Sequence, residues 1–306
     1  MQLFDLPQDY ADDGVLEVAA SLRESDPAGE RTARVIRSTF DQLYDGQRTG
    51  RYRLSQLFKT EKTHFGTLVE INLQREFHFQ DGGLLDYSIA GHEVDCKFSH
   101  TGQWMLPIES FDQIVLVLEA DDAKSVWSAG VVRVTEENRR KSENRDRKTG
   151  LNELGRRRIL WMHRNASLQP NVLLQLSESA LESVMQLRSG QQRLNELLRT
   201  ATNRRISRNI VATVAQQDDF MKRLRENGGA RSALRPEGYL VLGGDYAIQR
   251  SIAIELGAAT PEPGEVVSVR VVPDETGRGP LLEGRHWRLA AGDEGSAISA
   301  PIVPQK

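Results

Sequence analysis

The stretch DYSIAGHEVDCK, residues 86–97, constrains this chain more than any other. Polar and apolar residues alternate on both sides of Ala90-Gly91, which predicts a β-hairpin closed by a tight two-residue turn. Counting outward from that turn, Ile89 opposes His92, Ser88 opposes Glu93, Tyr87 opposes Val94 and Asp86 opposes Asp95. Ala is a poor first residue for a turn that needs positive φ, so a longer loop with a shifted register is the competing arrangement. Opposed carboxylates repel across about 4.5–5.5 Å, which makes sense chiefly if a cation sits between them. Side chains alternate with period two, so Glu93, Asp95 and Lys97 share the face of Asp86, while Val94, Cys96 and Phe98 point into a core.

Acceptor-only oxygens without His or Cys among them suit a hard cation such as Mg²⁺, which takes one or two carboxylates and fills its other positions with water and phosphate oxygens. Lys97, two residues beyond Asp95, can hold an attacking water and offset charge building on a phosphate. The alternative is a solvated hairpin in which Asp95 and Lys97 merely neutralise each other. Upstream, TEKTHFGTLVEINLQREFHF (60–79) has helical apolar spacing at Phe65, Leu68, Val69, Ile71 and Leu73, with Thr63 as the expected N-cap. Glu70 lies between Val69 and Ile71 and is costly to bury unless a charged group meets it. It either lies on the wet face or is a third carboxylate brought over the hairpin.

A length of 306 residues, 39% hydrophobic and 27% charged, supports two medium domains. Net charge is −3, so basic patches have to be sought segment by segment. The single Cys excludes an intramolecular disulfide framework and a Cys-based zinc site. No leader pattern and no long apolar run is visible, so a soluble cytoplasmic protein without a membrane partner is expected. The first 30 residues are acidic, with Asp5, Asp9, Asp12, Asp13, Glu17, Glu24, Asp26 and Glu30 against Arg23, and read as a surface cap of short helices.

Residues 31–44 repeat apolar side chains at helical spacing, and Asp45-Gly46 ends that helix. The segment LYDGQR (43–48) resembles the Lys-x-Asp-Gly-x-Arg motif of DNA ligases, but Leu43 stands where the nucleophilic Lys would be. Without an amine no phosphoramide forms, so no adenylation is expected and a helix-ending turn explains the match. FDQIVLVLEA (111–120) and WSAGVVRV (127–134) read as strands, the first central in a sheet covered on both faces. Residues 135–158 carry dense positive charge, including Arg139, Arg140, Arg145, Arg156 and Arg158, and read equally as a solvated helix pair or as a contact for DNA phosphate.

HRNASLQP (163–170) is polar and ends in Pro, so a first domain is expected over 1–162, a linker over 163–171 and a second domain over 172–306. Between Arg188 and Arg235 there are eleven Lys or Arg and four Asp or Glu, a local balance of +7. Residues 206–225 read as a long helix broken by Asn227-Gly228-Gly229, followed by a short helix over 230–235 and a strand over 238–242. That order describes a winged helix-turn-helix with Arg231 and Arg235 on the recognition helix, where Arg can reach guanine O6 and N7, and with Arg204, Arg205 and Arg208 as further DNA contacts. An ordinary amphipathic bundle with solvated Arg is the alternative. Strands over 265–272 and 285–289 complete this domain, with His286 and Trp287 packed there.

Glu70, Asp86, Asp95 and Lys97 follow the PD-(D/E)xK nuclease pattern, with Leu85 in the place of its Pro. The stretches FDQLYDGQRTGR (40–51), KTEKTHFGTLVEINLQREF (59–77), VDCKF (94–98), WMLP (104–107), VATVAQQDDFMKRLR (211–225) and GGARSALRPEG (228–238) are similar to the NaeI-type, or type IIE, restriction endonucleases. That resemblance implies a homodimer with an α/β fold: a restriction-endonuclease-like mixed sheet domain, then a domain with a catabolite-activator-like winged helix-turn-helix. It implies Mg²⁺-dependent cleavage of double-stranded DNA at a GC-rich palindrome such as GCCGGC, activation by a second DNA site, and a cognate DNA methyltransferase in the same system. Glu70, Asp86 and Asp95 would be the metal-site acids and Lys97 the catalytic lysine, while Glu93 has no role in the nuclease pattern and is expected to be peripheral, its substitution mild where that of Asp95 is not. A structure-selective repair or recombination nuclease and a non-cutting winged-helix regulator are the alternatives.

Overall fold

In the computed structural model the chain forms two compact units, residues 1–43 with 57–169, and residues 44–56 with 170–306. The structure describes residues 12–142, 147–292, 294–295 and 298–305; Asp5, Asp9 and Arg145 lie outside them.

Helices α1 (Asp13–Ser25), α2 (Glu30–Tyr44), α3 (Gly46–Thr49) and α4 (Lys59–Phe77) precede a six-stranded mixed sheet. Its strands β1 (Gln80–Asp81), β2 (Tyr87–Ile89), β3 (His92–Ser99), β4 (Ile114–Asp121), β5 (Val126–Arg133) and β6 (Leu160–Ser167) are ordered as they occur in the chain, with α5 (Glu153–Arg157) before β6. Only β3 and β4 run parallel. β4 is almost wholly buried, as its continuous apolar run predicts for a strand covered on both faces. Helix α1 buries Val15, Val18, Ala19 and Leu22 and turns its carboxylates outward. Asp12 caps it by accepting from Val15 N–H at 3.1 Å and also binds Arg133 of β5 through both oxygens at 2.6 and 3.0 Å.

Helix α4 starts at Lys59, not at a Thr63 cap, because the Glu61 carboxylate accepts from Phe58 N–H at 2.8 Å and closes the first turn. Its buried stripe is Phe65, Val69 and Leu73, spaced by four. Each such side chain contributes about 1.5–3 kcal/mol of burial. Phe65 meets Phe40 and Phe98 at ring-centroid distances of 4.7 and 4.5 Å, which joins α2, α4 and β3. No helix pair forms over 135–158 among the described residues. A short turn, Glu136–Asn138, and the five-residue α5 stand there instead. Arg139 lies 4.2 Å from the Phe111 ring centroid, Arg156 lies 5.6 Å from that of Trp104, and Arg158 pairs with Glu137 at 3.1 Å. The polar residues 163–167 form the outer half of β6, where an edge strand needs only one covered face.

In the second unit, α3 follows Asp45, whose φ of 46° ends the preceding helix. An added Cβ at Gly46 would lie 2.1 Å from Thr213 Oγ1, so the Asp-Gly pair is explained by backbone turning and close approach. The unit continues with α6 (Glu178–Met185), α7 (Gly190–Thr200), β7 (Arg205–Ser207), α8 (Arg208–Ala215), α9 (Ala230–Leu234), β8 (Tyr239–Gly243), α10 (Ala247–Glu255), β9 (Glu265–Pro273), β10 (Leu281–Leu282) and β11 (Arg285–Leu289). Strand β9 pairs antiparallel with β7, β8 and β11, and β10 pairs with β11. The single long helix expected over 206–225 is divided, because Ile206 pairs with Val266 and Gln216 adopts φ 50° at the end of α8. One core gathers Leu194, Leu197, Leu198, Ile210, Val214 and Leu234 from the helices, and a second gathers Leu240, Leu242, Val267, Val269, Val271 and Trp287 from the sheet.

Candidate active site

The hairpin forms in the register that the sequence pattern predicts. Tyr87 pairs with Val94, Ser88 with Glu93 and Ile89 with His92. Ala90 accepts φ 52° beside Gly91 at φ 80°, so the turn keeps two residues and the register does not slip. Val94 and Cys96 are buried, as expected of their face. Beyond the paired residues, the backbone N–H of Cys96 donates to Asp86 Oδ2 at 2.7 Å. That bond aims the Asp86 carboxylate at the strand carrying Asp95 and Lys97.

Asp95 is buried among polar partners. Lys97 Nζ donates to its Oδ1 and the Ser110 hydroxyl donates to its Oδ2, with Ser110 itself fully buried. Lys97 Nζ also donates to Cys96 O at 3.1 Å and lies 3.9 Å from Asp86 Oδ2. Burial works against the ammonium charge, yet Asp95 and then Asp86 outweigh it and hold the Lys97 proton more tightly than usual. This lysine therefore offers a fixed positive charge rather than a base.

Glu70 comes to the same place from α4. The Tyr87 hydroxyl donates to Glu70 O at 2.7 Å and fastens the helix backbone to β2. Burial, with Asp86 next, raises the Glu70 carboxyl to about 6, against the pull of Lys97. Burial also raises Asp86, helped by the adjacent Asp95 carboxyl and opposed by the Cys96 N–H. Two partly buried acids with raised affinity for protons mark a place short of positive charge, and a divalent cation would relieve it. The oxygen-only donor set fits Mg²⁺ in kind. Among the described residues, no three acidic, His or Cys side chains already stand in a metal-holding arrangement.

Pattern reasoning gave no role in the site to three residues that build it. Tyr87 was readable only as apolar, although a buried tyrosine hydroxyl calls for a partner. Ser110 carries no sequence signal. Glu93 shares the charged face, but its carboxylate turns to the preceding loop, where Gly83 N–H donates to Oε1 at 2.6 Å and Leu84 and Leu85 N–H donate to Oε2 at 3.0 and 2.9 Å. These bonds, Gly83 first, hold its carboxyl below the usual range.

The sequence profile of the family described as restriction endonuclease NaeI matches residues 16–297. The type II restriction enzyme NaeI of Lentzea aerocolonigenes is 48% identical over 317 residues, covering 99% of this chain and 98% of that enzyme. The chain belongs to the NaeI restriction endonuclease family. It is therefore an enzyme, a type II restriction endonuclease. No described helix is long and apolar enough to cross a membrane.

The arginines expected at DNA are distributed unevenly over the second unit of this NaeI-family chain. Arg204, Arg205 and Arg208 are exposed around β7 and the start of α8. Arg205 is also held by Glu265 at 2.5 Å. Arg231, expected on a recognition helix, is buried instead: it donates to Val241 O at 3.1 Å and to Gln249 Oε1 at 3.2 Å. Arg235 donates to Ala300 O at 3.0 Å and pairs with Glu226 at 3.4 Å. Arg231 in the five-residue α9 and Arg235 just after it are thus tied to other parts of the unit.

Proposed function

We propose that this restriction endonuclease hydrolyses phosphodiester bonds in double-stranded DNA with Mg²⁺, using Asp86, Asp95 and Glu70 as the metal-site acids and Lys97 as the catalytic lysine. The observation that carries this reading is the meeting of Lys97 with both Asp95 on β3 and Asp86 just before β2, with Glu70 electrostatically coupled to all three. Mg²⁺ would be held by Asp86 and Asp95 with Glu70 in support, and would supply Lewis-acid stabilisation of the phosphate when bound. Lys97 keeps its proton, hydrogen-bonds the attacking water and offsets negative charge that builds on the scissile phosphate.

In the same reading the second unit binds a further copy of DNA. Exposed Arg204, Arg205 and Arg208 would meet phosphates, and α8 and α9 followed by the β8–β9 pair would form a winged helix-turn-helix whose α9 is held by Arg231 and Arg235. Occupancy of that second site would favour cleavage at the first if the duplex contacts the two states of the enzyme differently. A homodimer acting on a palindrome such as GCCGGC, paired with a cognate methyltransferase in a cytoplasmic restriction system, accords with membership of the NaeI family.

Digestion of a sequenced plasmid with and without Mg²⁺, with every cut end mapped, tests the reading. Discrete ends at one repeated sequence, absent in EDTA, are expected. Cleavage that follows branches or mismatches, or binding without any cutting, would overturn it.

A further inference from the structure

Residues 82–85 run immediately into Asp86, and little apolar packing is available to fix them. Leu84 is 91% exposed. Pairing of β1 with β2 and a long bond from Gly82 N–H to Asp86 O at 3.5 Å close the ends of this turn, and a carboxylate on β3 holds its interior. Three consecutive backbone N–H groups, those of Gly83, Leu84 and Leu85, converge on Glu93, one on Oε1 and two on Oε2. Successive N–H groups wrapped around one anion form a concave, electropositive seat, and a carboxylate in it is oriented as well as bound. Both Glu93 oxygens are used in this way, so the side chain faces the loop rather than Asp95 or Lys97.

The loop is built to admit that contact. A Cβ on Gly82 would fall 2.3 Å from Leu85 O and 2.9 Å from Glu93 Oε2, and one on Gly83 would fall 3.2 Å from Glu93 Oε1. Glu93 pairs with Ser88 across the hairpin, two residues beyond Asp86, so the same residue sets the strand register and ties the entering chain. Asp86 therefore sits between two restraints, the Glu93 seat on its N-terminal side and the Cys96 N–H bond on its carboxylate.

We propose that Glu93 is a positioning residue for DNA cleavage: it clamps the Gly83–Leu85 backbone and thereby fixes where Asp86 presents its carboxylate beside Asp95 and Lys97. It does not touch the substrate, and it acts through Asp86. The proposal rests on the reading of Asp86, Asp95 and Lys97 as the cleavage site. Losing the clamp lets the loop and Asp86 wander by a fraction of an ångström to an ångström, a displacement that costs about 10- to 100-fold in rate at a preorganised site.

The test uses the full-length enzyme, a plasmid that the wild type cuts, and the variants Glu93→Ala, Glu93→Gln and Gly82→Ala beside Asp95→Ala. Three quantities are read: single-turnover cleavage against Mg²⁺ concentration, plasmid affinity in EDTA, and amide hydrogen exchange of residues 83–85 in metal-free protein. For Glu93→Ala the expected result is faster exchange at these amides, a rate lowered about 10- to 100-fold, and a higher Mg²⁺ concentration for half-maximal rate, with plasmid affinity unchanged. Glu93→Gln, which keeps one carbonyl acceptor, should fall between. Gly82→Ala disturbs the loop from the other side with Glu93 intact, and should reproduce the Mg²⁺ shift even if Glu93→Ala is poorly folded. Wild-type Mg²⁺ dependence in both Glu93→Ala and Gly82→Ala, or unchanged exchange at 83–85 in Glu93→Ala, would overturn the clamp while an inactive Asp95→Ala leaves the cleavage site standing. Activity retained in Asp95→Ala would instead remove the reading beneath it.

Discussion

Cys96 N–H donates to Asp86 Oδ2 at 2.7 Å, so the backbone of the strand that carries Asp95 and Lys97 orients the carboxylate that faces them. This bond lets two acids stand side by side, because Asp86 is held by geometry while Lys97, 3.9 Å away, offsets its charge only in part. Its affinity for protons is raised, burial being the largest cause. At neutral pH, ionised Asp86 therefore costs the fold some stability. Asp86→Asn keeps an oxygen for the Cys96 N–H and removes the charge. The variant is expected to melt no lower than the wild type while its Mg²⁺-dependent cleavage falls about 100-fold or more. Calorimetry and plasmid cleavage on the same sample check both halves.

Ser110 is fully buried and supplies the hydroxyl that satisfies Asp95 Oδ2. Ser110→Ala leaves a buried carboxylate oxygen without that donor, which costs about 1–3 kcal/mol. Urea denaturation should show this loss, and cleavage should weaken with it because Asp95 is freed to rotate. A variant with wild-type stability would show that Ser110 is not Asp95's support.

His100 lies among Phe40, Phe65 and Phe98, with ring-centroid distances of 5.8, 4.8 and 4.9 Å. Burial lowers its pKa below the ordinary 6.5, and this outweighs the attraction of Asp122 and Asp121. The folded chain thus resists protonation more than the unfolded chain does. Its contribution to stability is present above about pH 6.5 and is lost as the pH falls below it. Melting temperature measured down to about pH 5 should decline less steeply in His100→Phe than in the wild type. An unchanged slope would mean that this ring does not titrate across the unfolding transition.

The second unit divides its arginines into exposed and structural ones. Arg204→Ala with Arg208→Ala should weaken DNA binding in EDTA and flatten its salt dependence by about 0.9 in log–log slope for each phosphate no longer neutralised. Arg231→Ala should do neither directly. Its removal takes a donor from Val241 O and from Gln249 Oε1, which keeps the Gly243 N–H, and should lower stability by about 1–3 kcal/mol. Fluorescence titrations at several salt concentrations, with thermal melts alongside, separate the two groups.

How far the sequence could be read depended on whether the information was local. The hairpin's register was legible because alternation and a two-residue turn specify it, and Ala90 tolerated the positive φ against its preference. Glu70, Asp86, Asp95 and Lys97 were legible as a spaced set, and they do come together. Glu93 was not, since alternation assigns a face and says nothing of a loop folding back to it. Spacing put Arg231 and Arg235 on one helical face but carries no sign of their partners, which are Val241 and Gln249 for buried Arg231 and Glu226 and Ala300 for Arg235. The long helix over 206–225 failed for a similar reason: pairing of Ile206 with Val266 and the turn at Gln216 overrule a helical apolar pattern.

Lys97, held between Asp95 and Asp86, is expected to drive Mg²⁺-dependent hydrolysis of DNA. The most direct measurement is the single-turnover cleavage rate of one plasmid by wild type and by Lys97→Met, side by side at saturating Mg²⁺, after equal plasmid binding in EDTA has been verified. Discrete linear products are expected from the wild type, with a rate lower by about 100-fold or more for Lys97→Met. Wild-type rates from Lys97→Met, at the same cut positions, would contradict it.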